Sequence, residues 1–291
     1  MKEKSSAQGR MELAIHSVFL FCGILSVGFV LFICVYLIVS GLPAVLEIGL
    51  IPFLFGEVWN AGTEEFGILP FILTSVSGAA GAIMLSVPVG IMTAVFQAKV
   101  APKNVARGLR SAVELLAGIP SVIYGLVGMI VLVPFLQKSF RLASGATLMA
   151  AILVLAVMIL PYIISVSETA LRAVPREYEE ASLALGATAT ETYFRVSLRA
   201  ARSGVTAAVV QGVGRAIGEA MAVIMVSGNV ANMPGLFKSV RFLTTAISSE
   251  MSYSSPGTLH RQALFSVGLV LFLFIMLINV FLNLVVRREG R

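Results

Sequence analysis

Arg215 and Glu219 stand four residues apart in GVGRAIGEAMAVIMVSGN, a stretch that is otherwise almost wholly apolar and small. A helix through it would put both side chains on one face, where they can pair. A guanidinium inside a membrane span costs about 2.5 kcal/mol on insertion scales and more by other reckonings, so it should face a bundle interior or an aqueous path. Two roles fit: an ion pair that holds helix register, or forked donors offered to a passing oxyanion. The second is the expectation. Ser121 is a third candidate for that path. It follows Ala117-Gly118-Ile119-Pro120, where the proline removes a backbone donor and disfavours helix just before it, so a break would free carbonyls and Ser121 to line a polar cavity. Arg110 with Glu114, and Glu168 with Arg172, share the four-residue spacing near the ends of apolar runs and read as boundary salt bridges.

Other chemistries find little material. The chain has no Asp, its two His are His16 and His260, and Cys22 and Cys34 share one apolar run. Twelve positions on a helix span about 18 Å, too far for a disulfide. No Ser/His/Asp, two-carboxylate or zinc set assembles. There is no G-x-x-x-x-G-K-[ST] phosphate loop, so the chain is expected to be non-catalytic and to bind no cofactor of its own.

A second constellation lies between Pro175 and Arg199, PREYEEASLALGATATETYFRVSLR. Pro175 suits a first helical position, Glu177, Glu179 and Glu180 complement the positive helix end, and Gly186 suits a left-handed C-terminal position. Thr188 and Glu191 form a capping-box pattern that starts a second helix through Val196 and Leu198. The expectation is helix, turn, helix, connecting two membrane spans.

Composition fixes the surroundings of both sites. The 291 residues are 58% hydrophobic and 12% charged, with mean hydropathy +0.95, which a water-soluble domain does not sustain. Apolar segments at about 13–40, 67–97, 109–137, 146–171, 203–230 and 264–286 are each long enough to cross hydrocarbon. The expectation is an all-α membrane protein of six transmembrane helices, with residues 1–66 as N-terminus, first span and external loop, and 67–291 as a five-span core. The first apolar run is too long for a cleavable signal and reads as a retained span.

Orientation follows from Lys and Arg. With both termini cytoplasmic, the inner segments hold Lys2, Lys4, Arg10, Lys99, Lys103, Arg107, Arg110, Arg172, Arg176, Arg195, Arg199, Arg202, Arg287, Arg288 and Arg291. The outer segments hold only Lys138, Arg141, Lys238, Arg241 and Arg261. The bias puts the 175–199 hairpin inside. The net charge of +6 is thus a topology signal, and no nucleic-acid partner is implied. Outside, Glu47, Glu57, Glu64 and Glu65 in segment 41–66 read as a solvated acidic face. In segment 232–262, Leu236, Val240, Leu243 and Ile247 recur at helical spacing between Pro234 and Pro256, predicting an amphipathic helix at the bundle mouth. Gly78, Gly81, Ala82, Gly118, Gly125, Gly128, Gly214 and Gly218 are expected to let helices approach closely.

Two resemblances rest on these residues. Glu180-Ala181-Ser182, then Gly186, then Val196-x-Leu198 resembles the cytoplasmic signature of ABC importer permeases. Ser182 stands for the usual second alanine, and Arg199 for the usual proline, which should leave the second helix unbroken there. Gly118-Ile119-Pro120-Ser121-Val122-Ile123-Tyr124-Gly125, Val131-Leu132-Val133-Pro134, Gly214-Arg215-Ala216-Ile217-Gly218-Glu219-Ala220-Met221-Ala222-Val223 with Gly228-Asn229, and Trp59 with Phe66-Gly67-Ile68-Leu69-Pro70 are similar to phosphate-transport permeases of the PstC type. That likeness runs from about 59 to 286. Ala220 stands where the family commonly has Thr.

The resemblance implies a type I ABC importer permease fold with a coupling helix between the fourth and fifth spans, in a bacterial or archaeal cytoplasmic (inner) membrane. It implies a homologous PstA-like permease, a PstB-like ATPase dimer that binds ATP and Mg, and a PstS-like extracytoplasmic protein that delivers phosphate. In that reading Glu180, Ala181, Ser182, Gly186, Val196 and Leu198 couple to the ATPase. Arg215, Glu219 and Ser121 line the anion path, and lipid surrounds the bundle. Importers of molybdate or sulfate, and secondary carriers or channels, are the competing readings.

Overall fold

A computed structural model describes residues 2–289. Of the charges counted for orientation, the side chains of Lys2, Lys4, Arg10, Arg287, Arg288 and Arg291 lie outside those described.

The bundle is built around α7 (Leu148–Arg172), which packs most extensively against α3 (Leu69–Val95). Of the apolar window of α7, 61% is buried, against 0% for that of α1 (Lys2–Ile48), so α7 is the hub and α1 the periphery. Phe19, Phe32 and Val39 of α1 are bare, as suits a helix facing lipid. α1 lies along α14 (Leu259–Glu289). The α7 start is fixed by Thr147, whose hydroxyl accepts the Ala150 N–H at 3.4 Å, and Arg172 in its last turn complements the negative helix end.

Five helices among the described residues are long and apolar enough to cross a membrane: Ile15–Ile48, Leu69–Val100, Ser121–Phe140, Leu148–Arg172 and Leu259–Val280. The third begins twelve residues later than the sequence suggested. Pro120 is extended (ψ 139°) and separates α4 (Lys103–Ala117), a strongly amphipathic helix, from α5 (Ser121–Val127), which runs through a π-helical turn into α6 (Val133–Phe140). The expected break at Pro120 is therefore present, but it divides a surface helix from a span rather than interrupting a span.

The expected fifth span, 203–230, is also divided. α11 (Arg202–Gly218) stops at Glu219, whose ψ of 128° is extended, and α12 (Met221–Val226) restarts two residues on. Beyond it Gly228 and Asn229 both take positive φ, and Val240 N–H bonds to the Ser227 carbonyl. This irregular segment replaces most of the amphipathic helix expected over 232–262. Between Pro234 and Pro256 only α13 (Leu243–Glu250) is helical among the described residues, and Leu236 is exposed while Val240 and Leu243 are fully buried. The segment expected as an open loop, 41–66, instead holds the end of α1, the short α2 (Leu50–Phe55) and an antiparallel hairpin of β1 (Trp59–Asn60) and β2 (Glu65–Phe66). Its four glutamates are solvent-exposed, as read.

Because lipid tails are as apolar as the side chains they replace, helix association here depends on close packing. Gly125 shows it best. A Cβ there would sit 2.8 Å from the Ala222 Cα, so α5 and α12 touch backbone to backbone. Gly78, Gly81 and Gly128 serve the same end, against Phe242, Ile152 and Val154. Gly214 and Gly218 do not: they face open space within this chain, and Gly118 meets only carbonyls of its own helix.

Candidate functional site

The 175–199 hairpin folds nearly as its sequence reads. Pro175 occupies the cap (ψ 138°) rather than the first helical position, and α8 runs over Arg176–Ala184 with Glu177 and Glu179 in its first turn. Gly186 has φ +88°, a conformation that side chains with a Cβ resist, and its N–H bonds to the Leu183 carbonyl at 3.0 Å. Thr188 and Glu191 make the reciprocal capping box: the Glu191 N–H donates to the Thr188 hydroxyl at 3.3 Å, and the Thr188 N–H to the Glu191 carboxylate at 3.1 Å. The second arm is not one α-helix. It passes through α9 (Ala189–Glu191), a π-helical turn over Thr192–Ser197 and α10 (Leu198–Ala200) before bending at Ala201. The chain does run helically through Arg199, as expected where proline is absent.

Contacts the sequence did not disclose lock the arms together. The Ser182 and Thr192 hydroxyls meet at 2.9 Å, which gives the serine in the Glu-Ala-Ser triplet a use that alanine would not have. The Ser197 hydroxyl donates to Glu179 at 2.7 Å, and the Lys99 ammonium, in the π-helical turn Phe96–Val100 that continues α3, reaches the same carboxylate oxygen at 2.5 Å. Partial burial pushes the Glu179 carboxyl up, but hydrogen bonds from Lys99 and Ser197, with the charges of Lys99 and Arg176, hold it below its ordinary 4.5. The hairpin is thereby tied to the α3 terminus. Leu198 and Tyr193 pack on a small apolar cluster of Ala94, Val95, Leu171 and Val205. Glu180, Ala181 and Gly186 are exposed, and Val196 is half-buried. Leu185 is 89% exposed beside the turn, and Tyr178 and Leu183 are also bare.

The pairing expected of Arg215 and Glu219 does not form. The helix ends between them, so the four-residue register that would bring them together is lost. The Glu219 carboxylate instead accepts the Ala222 N–H at 2.9 Å, capping α12, and its backbone carbonyl accepts the Thr244 hydroxyl at 2.8 Å. Arg215 is exposed, makes no ion pair among the described residues, and lies within electrostatic reach of Tyr124. Tyr124 itself bridges the Pro120 break by donating to the Leu116 carbonyl at 2.7 Å. Ser121 is half-buried at the α5 start. The 530 Å³ groove beside it is lined by Ile119, Ile123, Val127 and Val131 among others, not by Ser121, and is apolar rather than the polar cavity expected.

At the opposite end of the bundle a buried polar cluster had no sequence signal beyond its residue types. Glu250, with 7% of its side chain exposed, pairs with Arg241, accepts from the Trp59 indole at 2.9 Å and meets His260 Nε2 at 2.8 Å. Arg241 also donates twice to the Asn229 carbonyl, at 2.9 and 2.6 Å. One carboxylate thus holds three partners, Arg241 and His260 from its own neighbourhood and Trp59 from the far end of the sequence. Trp59 and Glu250 are 191 positions apart, beyond any local spacing rule.

A bundle in which five of the described helices are long and apolar enough to cross a membrane defines a multi-pass membrane protein. Residues 86–291 match the binding-protein-dependent transport system inner membrane components, and the chain belongs to that family. It is 39% identical over 267 residues to the probable ABC transporter permease protein YqgH of Bacillus subtilis, covering 89% of this chain and 86% of that one. It is 36% identical over 246 residues to the phosphate transport system permease protein PstC of Mesorhizobium japonicum, with 78% and 75% covered. PstC of Pasteurella multocida is 34% identical over 264 residues, with 82% of each covered. The PstC-type likeness read from the motifs is borne out by these relatives. Among solved structures, the inward-facing MetNI methionine ABC transporter matches with TM-score 0.58 at 22% identity, over 77% of this chain and 95% of that one. A bacterial ABC transporter for alginate import matches with TM-score 0.61 at 13% identity, over 92% and 96%. Such identities carry the fold alone.

Proposed function

We propose that this chain is the transmembrane permease subunit of an ATP-driven phosphate importer. It forms the translocation path with a homologous, PstA-like permease; a PstB-like ATPase dimer binds ATP and Mg and docks on the hairpin, and a PstS-like extracytoplasmic protein delivers phosphate. The observation that carries the coupling is the hairpin's construction. An exposed helix, bare at Tyr178, Leu183 and Leu185, is latched through Glu179 to Lys99 at the end of the α3 span. Displacement of α8 by an ATPase would therefore be felt directly by α3, which is packed on the hub α7.

The same reading makes α11 and α12 together the fifth crossing in chain order, in two pieces, and brings the crossings to six. Broken backbone at membrane depth is tolerated where it is buried in protein or lines a watery cavity. Glu219 and Ala220 form such a break, with one carbonyl taken by Thr244. Arg215, on the helix leading to the break, then offers its fork to an anion. Gly214 and Gly218, open in this chain, face the second permease.

The complex reconstituted in vesicles with ATP inside and phosphate-loaded binding protein outside should accumulate phosphate. Omission of the ATPase subunits should abolish uptake, and equal uptake without them would make the protein a carrier and overturn the reading. On this reading both termini and the hairpin lie in the cytoplasm, which the bias of Lys and Arg along the sequence supports. In a background lacking Cys22 and Cys34, Ala187→Cys should label only from inside and Gly62→Cys only from outside. Labelling of residue 187 in intact cells by an impermeant reagent would refute the orientation.

A further inference from the structure

At the hairpin end of the bundle, the start of α4 and the ends of α3 and α7 enclose a pocket of about 440 Å³, unconnected with the Arg215 region in its lining. Lys103, Arg107, Arg110 and Arg172 line it, and Gln97 forms part of its wall. Glu168 takes Arg110 at 2.5 Å and Arg172 at 2.8 Å on one oxygen, leaving the three groups with one net positive charge. Lys103 and Arg107 are exposed and make no ion pair among the described residues. The first N–H groups of the fifteen-residue α4 add the positive end of a helix.

Gln97 supplies the independent observation. The residue is 2% exposed, yet neither its amide nitrogen nor its amide oxygen has a hydrogen-bond partner. Only its backbone carbonyl is engaged, by Arg172 at 3.1 Å. A buried amide left so forfeits about 1–3 kcal/mol, so native structures rarely keep one without a ligand, water or partner.

We infer that this pocket binds a singly protonated phosphoryl group. Its charged oxygens suit the guanidinium groups, Lys103 and the Gln97 N–H, while its P–OH can donate to the Gln97 oxygen. Sulfate, which carries no proton at neutral pH, meets the cationic half of the site but not that amide oxygen. Inorganic phosphate and the monoester headgroup of phosphatidic acid share the required chemistry. Occupancy would tie α4 to the ends of α3 and α7, two residues from the Lys99 that holds the hairpin. The inference goes beyond the transport reading and does not need it.

The test uses the assembled complex without binding protein, in phosphatidylcholine nanodiscs. Its unfolding midpoint is followed against inorganic phosphate and against sulfate at equal ionic strength, and, without either, in discs containing phosphatidic acid. A rise with phosphate but not sulfate identifies the free ion; a rise only with phosphatidic acid identifies the lipid. Lys103→Gln with Arg107→Gln should weaken the effective ligand about tenfold or more, as expected for lost charge-assisted bonds. Gln97→Leu, of similar bulk, should erase the preference for phosphate over sulfate. Arg215→Met should leave the shift intact, separating this site from the proposed path. The inference is overturned if neither ligand shifts the midpoint, if sulfate equals phosphate, or if the Lys103/Arg107 double variant keeps the full shift. It is also overturned if Gln97→Leu prevents subunit assembly, which would show the amide's partner to be another subunit.

Discussion

Arg215 and Glu219 do not pair in this structure, and that changes what substitution should do. Because the carboxylate caps α12 instead of neutralising the guanidinium, Arg215→Met should assemble normally without a compensating change at Glu219. Phosphate uptake by that variant should fall by roughly tenfold to a hundredfold, the effect of losing about 1.5–3 kcal/mol of charged hydrogen bonding. Arg215→Lys restores charge but not the fork, and should recover only part of the rate. Glu219→Gln keeps an acceptor for the Ala222 N–H, whereas Glu219→Ala loses the cap and about 1 kcal/mol. Uptake near wild type in assembled Arg215→Met, or assembly rescued only by adding Glu219→Gln, would return the pair to scaffolding. The residue types at this site were legible in sequence, but their register was not. A four-residue spacing implies a shared face only if the helix continues, and nothing local in Gly218-Glu219-Ala220 announces that it stops.

The hairpin was legible for the opposite reason: its signals are local. Gly186, Thr188 and Glu191 each act on backbone within a few positions, so turn and caps follow from spacing alone. What escaped were the Ser182 to Thr192, Ser197 to Glu179 and Lys99 to Glu179 contacts, made by side chains brought together only after folding. Gly186→Val forces a β-branched residue into positive φ, at about 1–2 kcal/mol, and should misdirect α8. The protein should still insert, and transport should drop severalfold or more; normal uptake with normal ATPase docking would deny the hairpin a coupling role. The Glu179 latch also sets a pH dependence. Its carboxyl lies below 4.5 in the folded chain, so its stabilisation is complete above that pH and is lost as pH falls through the depressed value. Protection of the 188–200 amides, taken relative to intrinsic exchange at the same pH, should therefore be high at neutral pH and fall on strong acidification. In Lys99→Met, which removes the opposing charge while burial remains, the loss of protection should begin at higher pH. An unchanged onset in that variant would show the latch to be idle.

At the scale of the whole molecule, α7 and α3 form the hub, α1 and α14 pack beside one another, and the hairpin joining α7 to α11 connects the exposed α8 to the core through Glu179 and Lys99, the path along which the proposed function sends its motion. At the far end of that path Glu250 gathers Trp59, Arg241 and His260. Composition and apolar run lengths announced a helical membrane bundle. They misplaced the third span and merged α11 with α12, because hydropathy registers lipid compatibility but not where a backbone turns. The central claim is that this bundle couples ATP hydrolysis to phosphate delivery from outside. The most direct measurement is ATPase activity of the reconstituted complex on adding binding protein that is empty, or loaded with phosphate, sulfate or molybdate. Strong stimulation by the phosphate-loaded protein alone, lost in Gly186→Val, is the predicted result. Equal stimulation by every form, or none by the phosphate-loaded form, would contradict it.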